Sequence, residues 1–171
     1  HTKILRFWQT EQYPDRELLT PPDRSPARSA TFALAPDRAS LALITRSSVN
    51  IYDLASRRWV RRLPGAKRTV NRPVINAGGS WLSAPDPNRS GGFFWRLESD
   101  GPPVEQVVSQ HPFAHQARVS ADGTLAALCD SKGRVRVWRT ADWALVAQFN
   151  GREEHISGME FTPDGQKLIL G

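Results

Sequence analysis

Apolar and polar residues alternate along this chain in short runs, and clusters of Gly, Pro, Asp, Asn and Ser break the runs at close intervals. Between Ala117 and Phe149 the alternation predicts four strands, Ala117–Ser120, Thr124–Cys129, Arg134–Thr140 and Ala144–Phe149, each rich in β-branched or aromatic residues. Asp122-Gly123 and Asp164-Gly165 each sit between two apolar runs, which predicts hairpin turns. No stretch sustains a helical apolar period through three turns, so almost no helix is expected.

The pattern repeats. Asp37, Gly79, Asp122 and Asp164 mark turns at spacings of 42, 43 and 42 residues. Trp8, Tyr52, Trp95 and Trp138 close the runs "LRFW", "VNIY", "GFFW" and "VRVW" at spacings of 44, 43 and 43. Two markers sharing one period define a tandem repeat. Four short antiparallel strands within that period make one blade of a β-propeller, apolar on both faces because both pack against neighbouring blades. The fold class is therefore all-β: β-propeller blades of four antiparallel strands, three full blades flanked by two half-blades.

The residues "FTPDG" (Phe161–Gly165), "VSADG" (Val119–Gly123), "LAPDR" (Leu34–Arg38), "GRVRVW" (Gly133–Trp138) and "NIYDL" (Asn50–Leu54) resemble the WD-repeat family of β-propellers, over essentially the whole chain. The closing Trp-Asp of that family reads Trp8-Gln9, Tyr52-Asp53, Trp95-Arg96 and Trp138-Arg139 here. Its Gly-His reads Gly151-Arg152 before the last unit and is not recognisable elsewhere, and the Asp six or seven residues before the Trp is missing. The resemblance therefore implies divergent blades, held by packing more than by the family's Asp-His-Ser-Trp hydrogen bonds.

Counted in units, residues 1–20 form a half-blade, full blades follow near 29–64, 72–109 and 115–150, and residues 155–171 form a second half-blade. The two halves are complementary. Either the chain is an internal fragment of a larger ring, about seven blades by the resemblance, or the halves pair and close a four-bladed ring. The start at His1 rather than Met and the stop within "KLILG" favour the fragment.

Composition changes little in this picture, and charge changes more. No apolar run approaches the ~20 residues of a membrane-crossing helix, so no transmembrane segment is expected. Cys129 is the single cysteine, which fits a reducing, cytoplasmic setting. Of the 23 basic residues 14 fall in residues 1–76 against 6 acids, whereas residues 77–171 hold 9 against 11. The first half is thus +8 and the second −2 within the net +6, and an acidic surface would meet the first half.

Chemistry is sparse. There is no Gly-rich phosphate loop, Gly-x-Ser-x-Gly elbow or paired-Cys metal spacing. His111 and His115 flank Pro112 and have no third ligand close by in sequence, so a polar inter-blade loop is expected instead of a zinc site. No catalytic residue, metal or cofactor is expected, and the chain is read as a non-enzyme. Trp8, Trp81, Trp95 and Trp138 are expected in the core, and Trp59 and Trp143 over outer-strand seams. Arg6 and Arg136, two residues before a Trp, are expected to stack on aromatics between blades.

One constellation stands out. Arg46, Arg89 and Lys132 each lie six residues before the aromatic marker, in the turn from second to third strand. In a four-stranded meander that turn shares one end of the blade with the inter-blade links, which carry Arg24, Arg28, Lys67, Arg68 and Arg72. The prediction is a basic arc on one rim, away from Arg57 and Arg58. The plain alternative is solvated turn residues in an Arg-rich chain. The function expected is an interaction scaffold or sensor that binds other proteins, some with acidic surfaces, through rim loops. Two alternatives stay open: nucleic acid or phospholipid binding by that rim, which is less favoured, and an accessory propeller of a larger signalling enzyme or hydrolase.

Overall fold

The computed structural model describes residues 5–6, 18–19, 30–110, 113–150 and 156–171. It is built from strands and turns, with no helix among the described residues. Strands β1 (Leu5–Arg6) and β2 (Leu18–Leu19) pair with each other. Three four-stranded antiparallel meanders follow. The first holds β3 (Thr31–Leu34), β4 (Ser40–Ile44), β5 (Ser48–Asp53) and β6 (Arg58–Pro64). The second holds β7 (Val74–Ile75), β8 (Trp81–Pro85), β9 (Gly91–Arg96) and β10 (Val104–Val107). The third holds β11 (Ala114–Val119), β12 (Leu125–Asp130), β13 (Arg134–Arg139) and β14 (Leu145–Asn150). Strands β15 (Met159–Phe161) and β16 (Leu168–Leu170) pair as a two-stranded sheet separate from β1–β2, so the end strands do not join into a fourth blade.

The alternation assigns each strand residue to one neighbour. On β12, Ala126 and Leu128 pack with Trp81 and Phe94 of the second blade, while Ala127 and Cys129 pack with Ile156, Met159 and Phe161 on the other side. On β9, Phe93 and Trp95 face the first blade and Phe94 the third. Both faces are apolar because both are covered, which is why the central strands read as near-continuous apolar runs. Burying one such side chain contributes about 1.5–3 kcal/mol. The aromatic markers occupy one register position, Tyr52 opposite Leu41, Trp95 opposite Leu82 and Trp138 opposite Ala126. Trp95 also donates its indole N–H to Pro64 O of the preceding blade at 2.8 Å. Trp143 lies edge-on to Trp81, ring centroids 5.9 Å apart, and 5.2 Å from Phe94, so it seals the joint between second and third blades. Trp59 stays within its own blade, against Tyr52.

Arg136 departs from expectation. Its guanidinium donates to Val107 O of the second blade at 3.0 Å and to Gln148 Oε1 at 2.8 Å, and so ties strands together instead of stacking on a ring. Among the described residues the cations that do lie over rings are Arg68, over Phe93, and Arg96, over Trp81. The side chain of Arg6 lies outside the described residues. Cys129 is fully buried, and burial pushes its thiol up to about 11.

The hairpins from first to second strand are built alike. The N–H groups of Arg38, Gly79, Gly123 and Gly165 donate to Ala35, Asn76, Ser120 and Thr162 carbonyls, and all four residues are left-handed, with φ of 57°, 72°, 76° and 69°. The residue equivalent to Asp37, Asp122 and Asp164 is therefore Gly78, one position before the marker read from sequence. Arg38 holds a conformation that glycine adopts without strain. Arg38→Gly should accordingly raise stability by about 0.5–1 kcal/mol, seen as a higher urea midpoint with unchanged slope.

Candidate functional site

The rim is assembled by backbone hydrogen bonds between turns and links. Gly65 N–H donates to Ser47 O at 2.9 Å and Lys67 N–H to Arg46 O at 2.8 Å, which seats the link after β6 on the β4–β5 turn. Ala114 N–H donates to Arg89 O, and Ser131 N–H to Phe113 O, which seats the next link on the β8–β9 and β12–β13 turns. The turns carrying Arg46, Arg89 and Lys132 thus share one end of the strands with the links. All three side chains are exposed. Arg46 is steadied by Thr69, whose Oγ1 accepts from Nε and Nη2 at 3.3 Å each.

Lys67 and Arg72 are exposed on the same link, both left-handed, with φ of 59° and 42°. Arg68 differs. Its guanidinium pairs with Glu105, stands 3.8 Å from the buried Asp86 and lies over Phe93, so its charge is neutralised within the protein. Arg24 and Arg28 lie outside the described residues. Arg57, in the β5–β6 turn, and Arg58, at the start of β6, are exposed at the other end, where Leu54 N–H donates to Ala39 O of the β3–β4 turn. Between the second and third blades the rim holds a hollow of about 200 Å³, lined by Arg72, Pro85, Pro87, Phe113 and His115 among others.

Beneath the exposed cations lies a set of buried polar groups that motif reading missed. Thr45, Asp86 and Asp130 each follow the last residue of the second strand paired with the third (Ile44, Pro85, Cys129), and all three are buried. Each organises its turn: Ser48 N–H donates to Thr45 Oγ1, Asn88 N–H to Asp86 Oδ1, and Lys132 and Arg134 N–H to Asp130 Oδ1. Asp130 is the most fully engaged. Its Oδ2 accepts from Ser109 Oγ at 2.7 Å and Arg134 Nε at 2.9 Å, and Arg134 Nη2 also donates to Ser109. Burial would raise its pKa, but these donors outweigh it and hold the carboxyl below the ordinary Asp value. A link residue joined to a turn carboxylate thus fastens the second blade to the third. This set contains no His or Trp and so differs from the Asp-His-Ser-Trp arrangement, and it adds to the packing at this joint.

Among the described residues no group of three or more His, Cys, Asp or Glu is placed to hold a metal ion, and no helix is long and apolar enough to cross a membrane. His115 is half-buried, and His111 lies outside the described residues.

No family model matches the chain. It is similar to WD repeat-containing protein 55 of Arabidopsis thaliana, 33% identical over 70 residues, 41% of this chain and 20% of that protein. It is also similar to Protein groucho of Drosophila melanogaster, 31% identical over 78 residues, 45% of this chain and 11% of that protein. The chain thus spans a fifth or less of the length of these curated relatives. Among solved structures, Kuenenia stuttgartiensis Hydrazine Synthase superposes with a TM-score of 0.63 at 16% identity, over 81% of this chain and 40% of that one. That likeness shows the fold alone. The two curated matches support a likeness to WD-repeat proteins at a coarse level.

Proposed function

We propose that this chain is part of a non-enzymatic interaction propeller that takes protein partners with acidic surfaces on the rim of the second-to-third-strand turns. One observation carries the reading: Arg46, Arg89 and Lys132 are exposed at one end of three successive blades, with Lys67 and Arg72 exposed on the adjoining link. Like charges gathered in this way repel one another and gain nothing for folding, whereas an anionic partner would relieve the repulsion. The WD-repeat relatives support an interaction role at family level. Nothing in the arrangement requires attachment to an enzyme.

The test is a triple reversal, Arg46→Glu, Arg89→Glu and Lys132→Glu, probed with labelled poly-glutamate and with a single-stranded oligonucleotide at low and moderate salt. The variant should melt within about 1 kcal/mol of the parent, since exposed charges contribute little to stability. Its affinity for poly-glutamate should fall on the order of tenfold or more. Preference for the oligonucleotide, with a steep salt slope, would favour nucleic acid over protein as the partner. Unfolding of the variant would make the three residues structural and remove the proposal.

A further inference from the structure

The repeat supplies an internal control, because a residue that differs between equivalent blade positions is not demanded by the fold. In strand register Asp86, Phe93 and Glu105 of the second blade correspond to Asp130, Arg136 and Gln148 of the third. The first groove, between first and second blades, is closed from within. Arg68 enters from the link, pairs with Glu105, approaches Asp86 and covers Phe93. The second groove, between second and third blades, is built otherwise. A cation, Arg136, stands where Phe93 stood, and a neutral amide, Gln148, stands where Glu105 supplied the acid. What remains is a cavity of about 350 Å³ lined by Val108, Ser109, Gln110, Arg134, Arg136 and Gln148.

The polar groups of this cavity are held in place. Arg134 is fixed by the fully buried Asp130 and by Ser109, and Arg136 by Val107 O and Gln148 Oε1. Among the described residues these bonds leave Nη1 of Arg134 and Nη2 of Arg136 without a partner. Among the described residues two guanidinium groups set against one carboxylate leave a single positive charge. The ligand that balances it is a monoanion with paired oxygen acceptors, the geometry a guanidinium matches best. A phosphate dianion would bring surplus negative charge towards Asp130.

We propose that this groove is a carboxylate-binding subsite, in which a Glu or Asp side chain or chain terminus of a protein partner supplies the acid that Glu105 supplies in the preceding groove. The inference deepens the proposed interaction role, and its test separates the two. The 171-residue chain is titrated with the capped peptide acetyl-Gly-Glu-Gly-amide and followed by NMR at the Arg134 and Arg136 Nε–H groups and the Ser109 amide. The Glu peptide should shift these signals saturably, and its Gln and phosphoserine counterparts should bind more weakly. Arg136→Gln should weaken binding on the order of tenfold, as expected for loss of a charge-assisted hydrogen bond. Gln148→Glu places the acid within the chain and should abolish peptide binding with the fold intact, which keeps the test informative if Arg136→Gln fails to fold. The rim triple variant should bind the peptide as the parent does, so failure of the rim reading and failure of this one are told apart. Equal binding of the Gln peptide, tighter binding of the phosphoserine peptide, or full binding by Gln148→Glu would overturn the assignment.

Discussion

Replacing Asp130 with Ala should lower stability by about 3–4 kcal/mol, a loss expected when one partner of a buried ion pair is removed. Four donors converge on that carboxylate: Ser109 Oγ, Arg134 Nε and the backbone N–H groups of Lys132 and Arg134. Truncation strands the two turn N–H groups and removes the Ser109–Asp130 hydrogen bond between the link after β10 and the β12–β13 turn. Arg134 is part-exposed, so water recovers some of its solvation, which keeps the loss below the top of the range for such pairs. The same group sets an acid limb. Because its pKa is depressed in the folded state, its stabilisation is fully present above the ordinary Asp value of 3.8 and is lost as the pH falls through the folded-state pKa. Urea denaturation of parent and Asp130→Ala across that range should give curves that converge on acidification. A constant gap between them would show that the carboxylate does not titrate in this way.

Gly65→Ala should be nearly as damaging, at about 3 kcal/mol, through backbone overlap. A Cβ at this position would lie 2.4 Å from Ser48 N and 2.5 Å from Arg46 O and Ser47 C. None of these is a side-chain end that can swing aside. Relief requires separating the link from the β4–β5 turn, which breaks the Gly65–Ser47 and Lys67–Arg46 hydrogen bonds. Binding to poly-glutamate should weaken too, because Arg46 and Lys67 lose their common anchor. Gly158→Ala is the matched control, since its Cβ would meet nothing within 4 Å, and it should leave stability within about 0.5 kcal/mol of the parent. If both alanine variants melt alike, the tight seating of the rim has been misjudged.

The architecture was legible because the markers sit where register leaves no freedom. Tyr52, Trp95 and Trp138 share one ladder position, so strand pairing preserves their spacing. Hairpin turns are nearly as plain, except that of Gly78-Gly79 it is Gly79 that fills the left-handed site, so Gly78 is the counterpart of Asp37 and Asp122. The buried polar groups of the turns were hidden by a different cause. Four, six and five residues separate the last paired positions across the three second-to-third-strand turns, so Thr45, Asp86 and Asp130 stand at different distances from the aromatic and defeat a fixed-offset search. The exposed cations of those turns could be grouped from topology alone. The inward pairing of Arg68 could not, because it depends on Glu105, 37 residues away on the outer strand of the next blade. The link of Arg136 to Val107 O escaped for the same reason, since a carbonyl oxygen carries no sequence signal at all.

The two-sided packing of β12 has a bearing on how this chain can vary. Ala126 and Ala127 are bonded neighbours, yet they belong to separate apolar clusters, whereas Leu128 shares one with Phe94, 34 positions earlier. Residues that share a packing cluster couple energetically, and residues that share no partners add independently. Tolerance of a substitution at Leu128 is therefore conditioned by the residue at Phe94 and indifferent to the one at Ala127. Permitted changes should spread along the array in steps of one blade, each joint drifting as a separate unit while the strand between two joints answers to both.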